Sequence, residues 1–571
     1  MKKGDIINGK VTKVRFPNIG TVETAEGQML VKNVLPGQIV ECRVQKKRHG
    51  TVQGALLKVI EPSEDEISSA CPHYDPVSGC GGCNYQTLPY EKQLSLKSEQ
   101  VKNIIDQVYI SEGKQEPDYE FEGILEAPES FEFRNKMEFS FGDEYLSGPL
   151  SLGMHKRGSF YDILTVDGCL LVDEDFRSIL KAVLGLAKRE ELTYFHRTRQ
   201  RGYLRHLLVR KAHATGEILI ALVTSSDTDG ALRNAEDGIK VFDENGFEEK
   251  FVSTLCKLNE ALRGQITGII HVINDSVADV VKCDSSRLLY GRDHIFEQLS
   301  GLRFKISLFS FFQTNSAGAQ VLYKKAAEYC HDALQSGEKP VIFDLYSGTG
   351  TIAQMMASVA SKVVGVEIVE EAVEAAKENA ELNGLHNCEF VAGDVLKVID
   401  SITEKPDLII LDPPRDGIHP KALDKILAYG VDNIVYISCK PTSLARDLEA
   451  IRRAGYRLQR LCLVDMFPGT VHVETCVLLG LKDVDEYIYI DYEPDHHQIK
   501  RGRATYREVK EYVLKNYGLK VSSLDIAQIK DKCGFEKRDN YNKGKEGHRV
   551  PICTPEKEDA IMEAFKHFNL I

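Results

Sequence analysis

The sequence predicts a multidomain α/β protein: a small N-terminal β-barrel, an α+β central domain, a Rossmann-like doubly wound domain and a helical C-terminal extension. Three observations predict this class. The 571 residues exceed what one hydrophobic core supports, short strands separated by Gly and Asn fill the first 60 residues, and strands alternate with helices from residue 341 to 480. The predicted domains are 1–60, 61–300, 301–483 and 484–571, and part of 87–120 is expected to pack on the third domain.

Five short strands within residues 4–60 predict an OB-like barrel, the type that binds oligonucleotides. The strands are expected at 6–14, 20–24, 28–31, 39–46 and 54–60. Residues 1–60 contain 11 Lys and Arg against 4 Asp and Glu, a net charge of +7. Because the whole chain carries −13, the remaining residues carry −20. A predicted loop holding Lys46, Lys47, Arg48 and His49 would suit a nucleic-acid backbone. The alternative is a solvated charged loop on a barrel with another role.

The composition also predicts the cellular location of the protein and the oxidation state of its cysteines. No apolar run reaches the roughly 20 residues of a membrane-spanning helix, and Met-Lys-Lys is followed by Gly-Asp-Ile-Ile-Asn rather than by a signal core. We therefore expect a cytoplasmic protein without membrane association, and no obligate protein partner is predicted. Fourteen cysteines in such a chain are expected to be reduced, so a tight cluster of them indicates metal binding or catalysis.

A glycine-rich turn predicts the cofactor site of the third domain. The segment Asp344-Leu-Tyr-Ser-Gly348-Thr-Gly350 follows an apolar strand and precedes a helix, where such sheets bind nucleotides. Glu367 ends the next strand, placed to accept hydrogen bonds from ribose hydroxyls. A dinucleotide would favour a third glycine at the helix start, and its absence favours S-adenosylmethionine over NAD.

Two further strand tips predict the chemistry at the same edge of the sheet. Asp412-Pro-Pro-Arg415 alone would also suit an enzyme that methylates amino groups. Cys439, in Ser-Cys-Lys-Pro, distinguishes methylation of a uracil carbon from methylation of an amino group. A thiolate that adds to carbon 6 of uracil makes carbon 5 nucleophilic, and an amino group needs no such help. A cation must favour the thiolate, and Lys440 or Arg415 could do so. The alternative for Cys439 is a buried structural cysteine.

Methylation at carbon 5 also requires a base that removes the carbon 5 proton. Glu474, which opens the next apolar strand, is the predicted base, and His472 is its rival. A surface glutamate without a role is the remaining alternative.

A second cluster, Cys71-x8-Cys80-Gly-Gly-Cys83, predicts a metal site in the central domain. Cys169, in a turn-like setting, is the predicted fourth ligand. Four thiolates fit either zinc or a [4Fe-4S] cluster, and the uneven spacing favours the cluster, in a structural rather than a redox role. The alternating phenylalanines from Phe131 to Phe141 indicate either a base-stacking surface or the buried face of a strand.

Taken together, residues 1 to about 482 resemble the bacterial RNA uridine-5-methyltransferase family, which includes tRNA and 23S ribosomal RNA enzymes. The resemblance implies that the barrel is a TRAM domain that binds RNA. It also implies that Cys71, Cys80, Cys83 and Cys169 hold the iron-sulfur cluster, although the gap of eight residues after Cys71 is longer than the family pattern.

The same resemblance implies the roles of the site residues. Gln313, Tyr346, Glu367 and Asp412 are implied S-adenosylmethionine contacts, and Asp394 is implied on the adenine side. Cys439 is the implied nucleophile and Glu474 the implied proton acceptor. The basic barrel and the cysteines favour 23S ribosomal RNA as the substrate, with tRNA second.

Two alternatives of another class are considered. A radical methylthiotransferase would need three closely spaced cysteines and has no use for the glycine turn. A noncatalytic RNA-binding protein has no use for Cys439 and Glu474.

Overall fold

A computed structural model describes residues 1–48, 50–110, 118–232, 242–278, 280–334, 339–481, 506–533 and 553–568. The chain forms two compact units, Met1–Gly480 and Leu481–Ile571. The predicted loop residue His49 lies outside the described residues, as do 484–505, 534–552 and 569–571 of the predicted extension. Among the helices that are described, none combines the length and apolarity needed to cross a bilayer.

The N-terminal region is the closed five-stranded barrel that the sequence predicts. Its strands are β1 (Ile6–Arg15), β2 (Ile19–Thr24), β3 (Gly27–Lys32), β4 (Ile39–Arg48) and β5 (Thr51–Glu61), closed in the order β1-β2-β3-β5-β4. Buried aliphatic side chains such as Val22, Met29 and Val40 fill the interior. The prediction of a basic loop is wrong for Lys46 and Lys47, which pair with Gln53 and Val52 of β5 and extend the strand.

The central region is built on a seven-stranded sheet. In chain order the elements of this part of the chain are α1 (Tyr90–Ile110), β6 (Glu120–Leu125), β7 (Lys136–Asp143), β8 (Leu150–His155), β9 (Ile163–Thr165), α2 (Glu174–Arg189), β10 (Leu204–Lys211), β11 (Glu217–Thr224), α3 (Glu244–Leu258), β12 (Gln265–Ile273) and β13 (Ser285–Gly291). The strand order is β13-β12-β11-β10-β7-β8-β9. A hairpin of β14 (His294–Leu299) and β15 (Leu302–Ser307) follows.

Apolar side chains of one sheet face pack with helices α2 and α3. Phe176 of α2 and Phe251 of α3 belong to the same buried cluster as Phe133, Phe139 and Phe141. Alternation along β7 therefore reflects a buried strand face, and the base-stacking interpretation is wrong for these three phenylalanines.

The third region is an eight-stranded sheet covered by helices. Its elements are α4 (Ser316–Ala333), β16 (Val341–Leu345), α5 (Thr351–Met356), β17 (Lys362–Glu367), α6 (Glu370–Leu382), β18 (Cys388–Ala392), α7 (Val395–Val398), β19 (Leu408–Leu411), α8 (Pro420–Leu427), β20 (Asn433–Ser438), α9 (Pro441–Arg453), β21 (Tyr456–Val464) and β22 (Glu474–Leu481). The order is β18-β17-β16-β19-β20-β22-β21-β6. The first five strands run parallel, and β22 runs antiparallel to β20. The short apolar strands, buried on both faces, explain the predicted doubly wound pattern.

Two elements from the predicted central domain reach this sheet. β6 lies within 61–300 but pairs in parallel with β21 as the edge strand. Helix α1 packs against α9. The chain therefore enters the third region before the central sheet begins.

The second unit contains three described helices, α10 (Tyr506–Tyr517), α11 (Ser523–Lys532) and α12 (Pro555–His567). Val509, Ile526, Ile561 and Phe565 form its core. Helical sequence patterns at 506–516 and 522–532 predict the first two helices, whereas no such pattern predicts the third.

Candidate active site

The carboxyl ends of β16, β17, β19 and β20 border one cavity of about 1660 Å³. Eight of the predicted site residues line it: Gln313, Tyr346, Gly348, Glu367, Asp394, Asp412, Cys439 and Glu474. Gly350 is the exception, since it is not among the lining residues. The convergence follows from the parallel strands, whose carboxyl ends meet at one edge.

The two glycines of the turn after β16 have different environments. Gly348 (φ 54°) and Gly350 (φ 72°) both adopt the left-handed conformation that favours glycine. A Cβ on Gly348 would meet only Phe311, at 3.7 Å, whereas a Cβ on Gly350 would lie 2.6 Å from the Phe390 ring. Gly348 therefore keeps the backbone open toward the cavity, and Gly350 permits close packing beneath the turn.

Carboxylates at the rim are fixed by backbone donors. Glu367 accepts hydrogen bonds from Gly348 N at 3.0 Å and from Val369 N at 3.0 Å. Asp394 caps α7 and accepts from Leu396 N at 3.0 Å. Both carboxylates are acceptors, so they suit a ligand that carries hydroxyl or amino donors.

Gln313 is held by contacts that the sequence could not reveal. The Asn135 side chain donates to the Gln313 carbonyl at 3.0 Å and to Ser316 Oγ at 2.8 Å. The Gln313 side chain hydrogen-bonds Tyr323, which is buried. Asn135 lies 178 residues before Gln313 in the chain, which is why no local pattern indicates its role.

Strand register brings Cys439 and Glu474 together. The last pair between β20 and β22 is Ser438 with Thr475, and Thr475 Oγ1 donates to the Ser438 carbonyl at 2.9 Å. Cys439 directly follows β20 and Glu474 is the first residue of β22, so continuing the antiparallel register by one residue sets the two opposite each other. Their pairing is thus a property of the sheet.

Charges around Cys439 act in opposite directions. Burial, with further contributions from Glu474 and Asp412, raises the pKa of the Cys439 thiol to about 11, while Arg415 lowers it by its charge and a hydrogen bond. Lys440, the other predicted cation, instead faces Asp416 at 3.8 Å. Arg415 is therefore the cation that favours the thiolate.

Three carboxyl groups have raised pKa values, and two of them, Asp412 and Glu474, line the cavity. Burial and the neighbouring Asp412 raise the pKa of Glu474 to about 8, against the opposing effect of Arg415. Burial raises the pKa of Asp412 to about 7 and, with Asp412 beside it, that of Asp344 to about 7. A cation entering the cavity would lower all three values, so the site suits a positively charged ligand. The sequence pattern assigns no role to Asp344. The one sequence feature that could indicate such a role is its position directly before the glycine turn.

His472 is a weaker base than its rival Glu474. Burial and the charges of Arg415, Lys97 and Arg134 lower the pKa of His472 to about 4. The raised pKa of Glu474 gives its carboxylate the higher proton affinity.

The loop between β21 and β22 leads to Glu474 and is anchored from the N-terminal half of the chain. Lys97 Nζ, in α1, lies 2.7 Å from Asp465 Oδ1 and donates to the Phe467 carbonyl at 3.1 Å, with both ionic side chains buried. The Gly469 carbonyl accepts from the backbone N–H groups of Asn84 and Tyr85. The residues after Cys83 therefore hold the loop that carries His472.

The four predicted cysteine ligands Cys71, Cys80, Cys83 and Cys169 line a separate cavity of about 30 Å³. Cys80 Sγ accepts from Gly82 N at 3.4 Å, and Cys83 Sγ accepts from Gln86 Nε2 at 3.5 Å. Burial, with smaller contributions from the other three thiols and against a hydrogen bond from Gln86, raises the pKa of Cys83 to about 12. The four sulfurs are therefore electrostatic neighbours although Cys169 is distant in sequence.

The donor set of this cavity consists of thiols. In the described part of the chain, no group of three or more His, Cys, Asp or Glu side chains is placed to hold a metal ion. Four thiolates can bind either zinc or a [4Fe-4S] cluster. The all-sulfur donor set with N–H donors to sulfur is compatible with the cluster.

Comparison with known proteins finds similarity over nearly the whole first unit. Residues 239–482 match the family model of tRNA (uracil-5-)-methyltransferases. An RNA methyltransferase of Clostridium acetobutylicum is 44% identical over 487 residues, 84% of this chain and 99% of that protein. One of Clostridium tetani is 41% identical, covering 85% and 99%.

A solved structure shows the same architecture. The tRNA (uracil-54, C5)-methyltransferase of Pyrococcus abyssi, in complex with S-adenosyl-L-homocysteine, is 26% identical. The alignment covers 83% of this chain and 99% of that one, with a TM-score of 0.60.

Proposed function

The chain belongs to the RNA uridine-5-methyltransferase family, and we propose that it methylates carbon 5 of specific uridines in RNA through a transient bond between Cys439 and carbon 6. As a member it is an S-adenosylmethionine-dependent RNA methyltransferase. The observation that carries the proposal is the β20–β22 register, which sets Cys439 opposite Glu474 at the cavity.

In the proposed mechanism the cavity binds S-adenosylmethionine beside the glycine turn. Glu367 and Asp394 accept hydrogen bonds from the nucleoside, and Gln313, Tyr346 and Asp412 line the same space. S-adenosylmethionine supplies the methyl group from a cationic sulfonium. Because that charge lowers the pKa of each nearby acid, Cys439 loses its proton to solvent more readily, and Arg415 stabilises the thiolate.

Cys439 then acts as the nucleophile. Its sulfur bonds to carbon 6 of the uracil ring, and the electron pair of the ring double bond moves onto carbon 5 and oxygen 4. Carbon 5 takes the methyl group as the bond between the methyl group and the sulfonium sulfur breaks, so that S-adenosylhomocysteine is the leaving thioether and a 5,6-dihydro ring stays attached to Cys439. Glu474 removes the remaining proton from carbon 5, the ring double bond reforms, and the bond between carbon 6 and sulfur breaks to release Cys439 as thiolate.

The experiment is a methyl-transfer assay with labelled S-adenosylmethionine and RNA from a strain lacking the gene. Digestion and mass spectrometry should find the label in 5-methyluridine. Cys439→Ala should abolish transfer while keeping S-adenosylmethionine binding, and Cys256→Ala, outside the cavity, should leave transfer unchanged. Transfer by Cys439→Ala at the rate of the natural chain would contradict the mechanism.

We propose 23S ribosomal RNA as the substrate, because the barrel is basic and the central region carries the four cysteines. A tRNA is the second candidate, favoured by the similarity to the Pyrococcus enzyme. Mapping 5-methyluridine in ribosomal and transfer RNA, with and without the gene, separates the two. Loss from tRNA alone would refute the ribosomal assignment.

We propose that the barrel is a TRAM-type module that contacts the RNA backbone. Lys46 and Lys47, exposed near the end of β4, are the side chains that would neutralise phosphates. The double variant Lys46→Ala/Lys47→Ala should weaken RNA binding and flatten its dependence on salt. An unchanged salt dependence would assign the barrel another role.

We also propose that Cys71, Cys80, Cys83 and Cys169 hold a [4Fe-4S] cluster in a structural role. When bound, the cluster would link the segments around residues 71–83 and 169 through four thiolates. The segment after Cys83 carries the N–H groups that hold Gly469. Anaerobic purification should give about four iron and four sulfide per chain, both lost in Cys83→Ser. One zinc per chain would refute this assignment.

A further inference from the structure

A second cavity, of about 370 Å³, lies at the ends of β7, β8 and β10 in the central sheet. Its lining includes Ser140, Leu146, His155, Tyr161, Tyr194 and His206. The volume is in the range of about 300–1,000 Å³ typical of small-molecule pockets. The proposed methyl transfer uses none of these residues.

Two exposed apolar side chains line this cavity: Leu146 is 81% exposed and Tyr161 is 67% exposed. Phe160, 81% exposed, precedes Tyr161 in the chain. The Arg197 guanidinium donates to the Phe160 carbonyl at 2.7 Å and lies 5.9 Å from the Tyr161 ring. Large apolar side chains rarely group on a surface without a ligand or a partner, so the group indicates a binding site.

Both cations and acids lie in the turns near these rings. The cations are Lys156, Arg157, Arg197, Arg199 and Arg201, and the acids are Asp143, Glu144, Asp162 and Asp227. Asp227 lies 4.0 Å from Arg201 Nε, and Arg157 donates to the carbonyls of Cys80 and Cys83. Arg199 and Arg201 are exposed. Exposed aromatic rings beside arginines are the combination that binds single-stranded nucleic acid.

One arginine at the cavity has a structural role. Arg205 is buried and donates to the carbonyls of Asn274, Ser276 and Ala278. Its guanidinium stacks 4.3 Å from the centre of the Phe195 ring. Arg205 therefore holds this part of the cavity wall against the backbone of residues 274–278.

One face of β7 runs between the two cavities. Lys136, Glu138 and Ser140 share this face, while Arg210 and His206, their neighbours on β10, are buried. Arg134, which lines the catalytic cavity, precedes Ser140 by six residues, about 20 Å along an extended chain. A single RNA strand of a few nucleotides can cover that distance.

We infer that this second cavity binds an unstacked base of the RNA strand that presents its target uridine to Cys439. The base stacks on Tyr161 beside Phe160, and Arg199 and Arg201 contact the flanking phosphates. The inference rests on the proposed function, because it places the site on the same substrate strand.

The test measures binding of a fluorescein-labelled single-stranded RNA of mixed sequence by anisotropy. Tyr161→Ala should weaken binding about 5- to 100-fold, the effect of losing one base-aromatic stack. Arg199→Ala/Arg201→Ala should reduce the slope of log affinity against log salt by about 0.7 per cation. Methyl transfer by Tyr161→Ala should show a higher KM for RNA with kcat unchanged.

Matched controls come from the same central region. Tyr290, 43% exposed on β13 at the opposite edge, and Lys250, 57% exposed on α3 over the other face, should tolerate alanine without loss of RNA binding. Thermal midpoints of all variants should match the natural chain, because every replaced side chain is exposed.

The outcomes separate the inference from the proposed function. Normal RNA binding by Tyr161→Ala, in a chain that methylates RNA, overturns the inference. Loss of self-association instead of RNA binding overturns it too, since the rings would then serve a protein interface. Weaker RNA binding by Tyr161→Ala in a chain that methylates no RNA supports base binding at the cavity but overturns both the proposed function and the link to Cys439.

Discussion

The catalytic edge and the four-cysteine cavity assemble their residues in different ways. At the catalytic edge, Cys439 and Glu474 extend adjacent strands of one sheet, so their meeting follows from register. In the cysteine cavity, Cys169 joins Cys71, Cys80 and Cys83 from a distant turn, so their meeting depends on the packing of the central region. The first site should therefore tolerate changes elsewhere in the fold better than the second.

The largest expected effect is on turnover at the catalytic edge. Glu474→Gln keeps the shape of the side chain but removes the base, so turnover should fall about 100- to 10,000-fold. The bond to Cys439 should still form, because an amide of the same size would not block addition. His472→Asn should lose far less activity. Steady-state kinetics with RNA measure both, and equal losses in the two variants would reopen the choice of base.

The next effect concerns Lys97 of α1, which holds the loop between β21 and β22. Lys97→Met leaves Asp465 buried without its partner, so the free energy of unfolding should fall by about 3–5 kcal/mol. Lys97→Met/Asp465→Asn removes both charges and should recover part of that loss. Denaturant melts measure both variants. A loss below about 1 kcal/mol in the single variant would show that the buried pair does not anchor the loop.

The two glycines of the turn provide a smaller effect. Alanine at either position costs about 1–2 kcal/mol, because both have left-handed backbone. Gly350→Ala should destabilise the chain more, since its methyl would collide with Phe390, whereas Gly348→Ala adds no such collision. Thermal melts compare the two. Equal destabilisation would contradict the different environments assigned to them.

The smallest effect is a shift of the pH profile. Arg415 lowers the pKa of both Cys439 and Glu474, and both must lose a proton to act. Arg415→Gln should therefore raise both pKa values and move the rising limb of kcat/KM to higher pH. Lys440→Gln, at the cation that faces Asp416, should leave the limb in place. A shift to lower pH in Arg415→Gln would reverse the assigned electrostatics.

The sequence predicts the parts of the molecule that local pattern determines. The barrel, the parallel strands and the side chains at their tips follow from periodicity and from the rule that strand ends meet. The pattern indicates a loop at Lys46 and Lys47, although both residues extend β4. The prediction fails because an exposed end of a strand carries charged residues, as a loop does. Two contacts join residues far apart in the chain: Asn135 donates a hydrogen bond to Gln313, and Lys97 donates one to Asp465. No local sequence pattern indicates such contacts.

The most direct test is the covalent complex between Cys439 and RNA. RNA containing 5-fluorouridine has no carbon 5 proton to remove, so incubation with S-adenosylmethionine should trap the adduct, visible as a shifted band on denaturing gels. Peptide mass spectrometry should locate the ring on Cys439, and Cys439→Ala should give no band. A nucleotide attached to another residue, or methylated RNA from Cys439→Ala, would contradict the account.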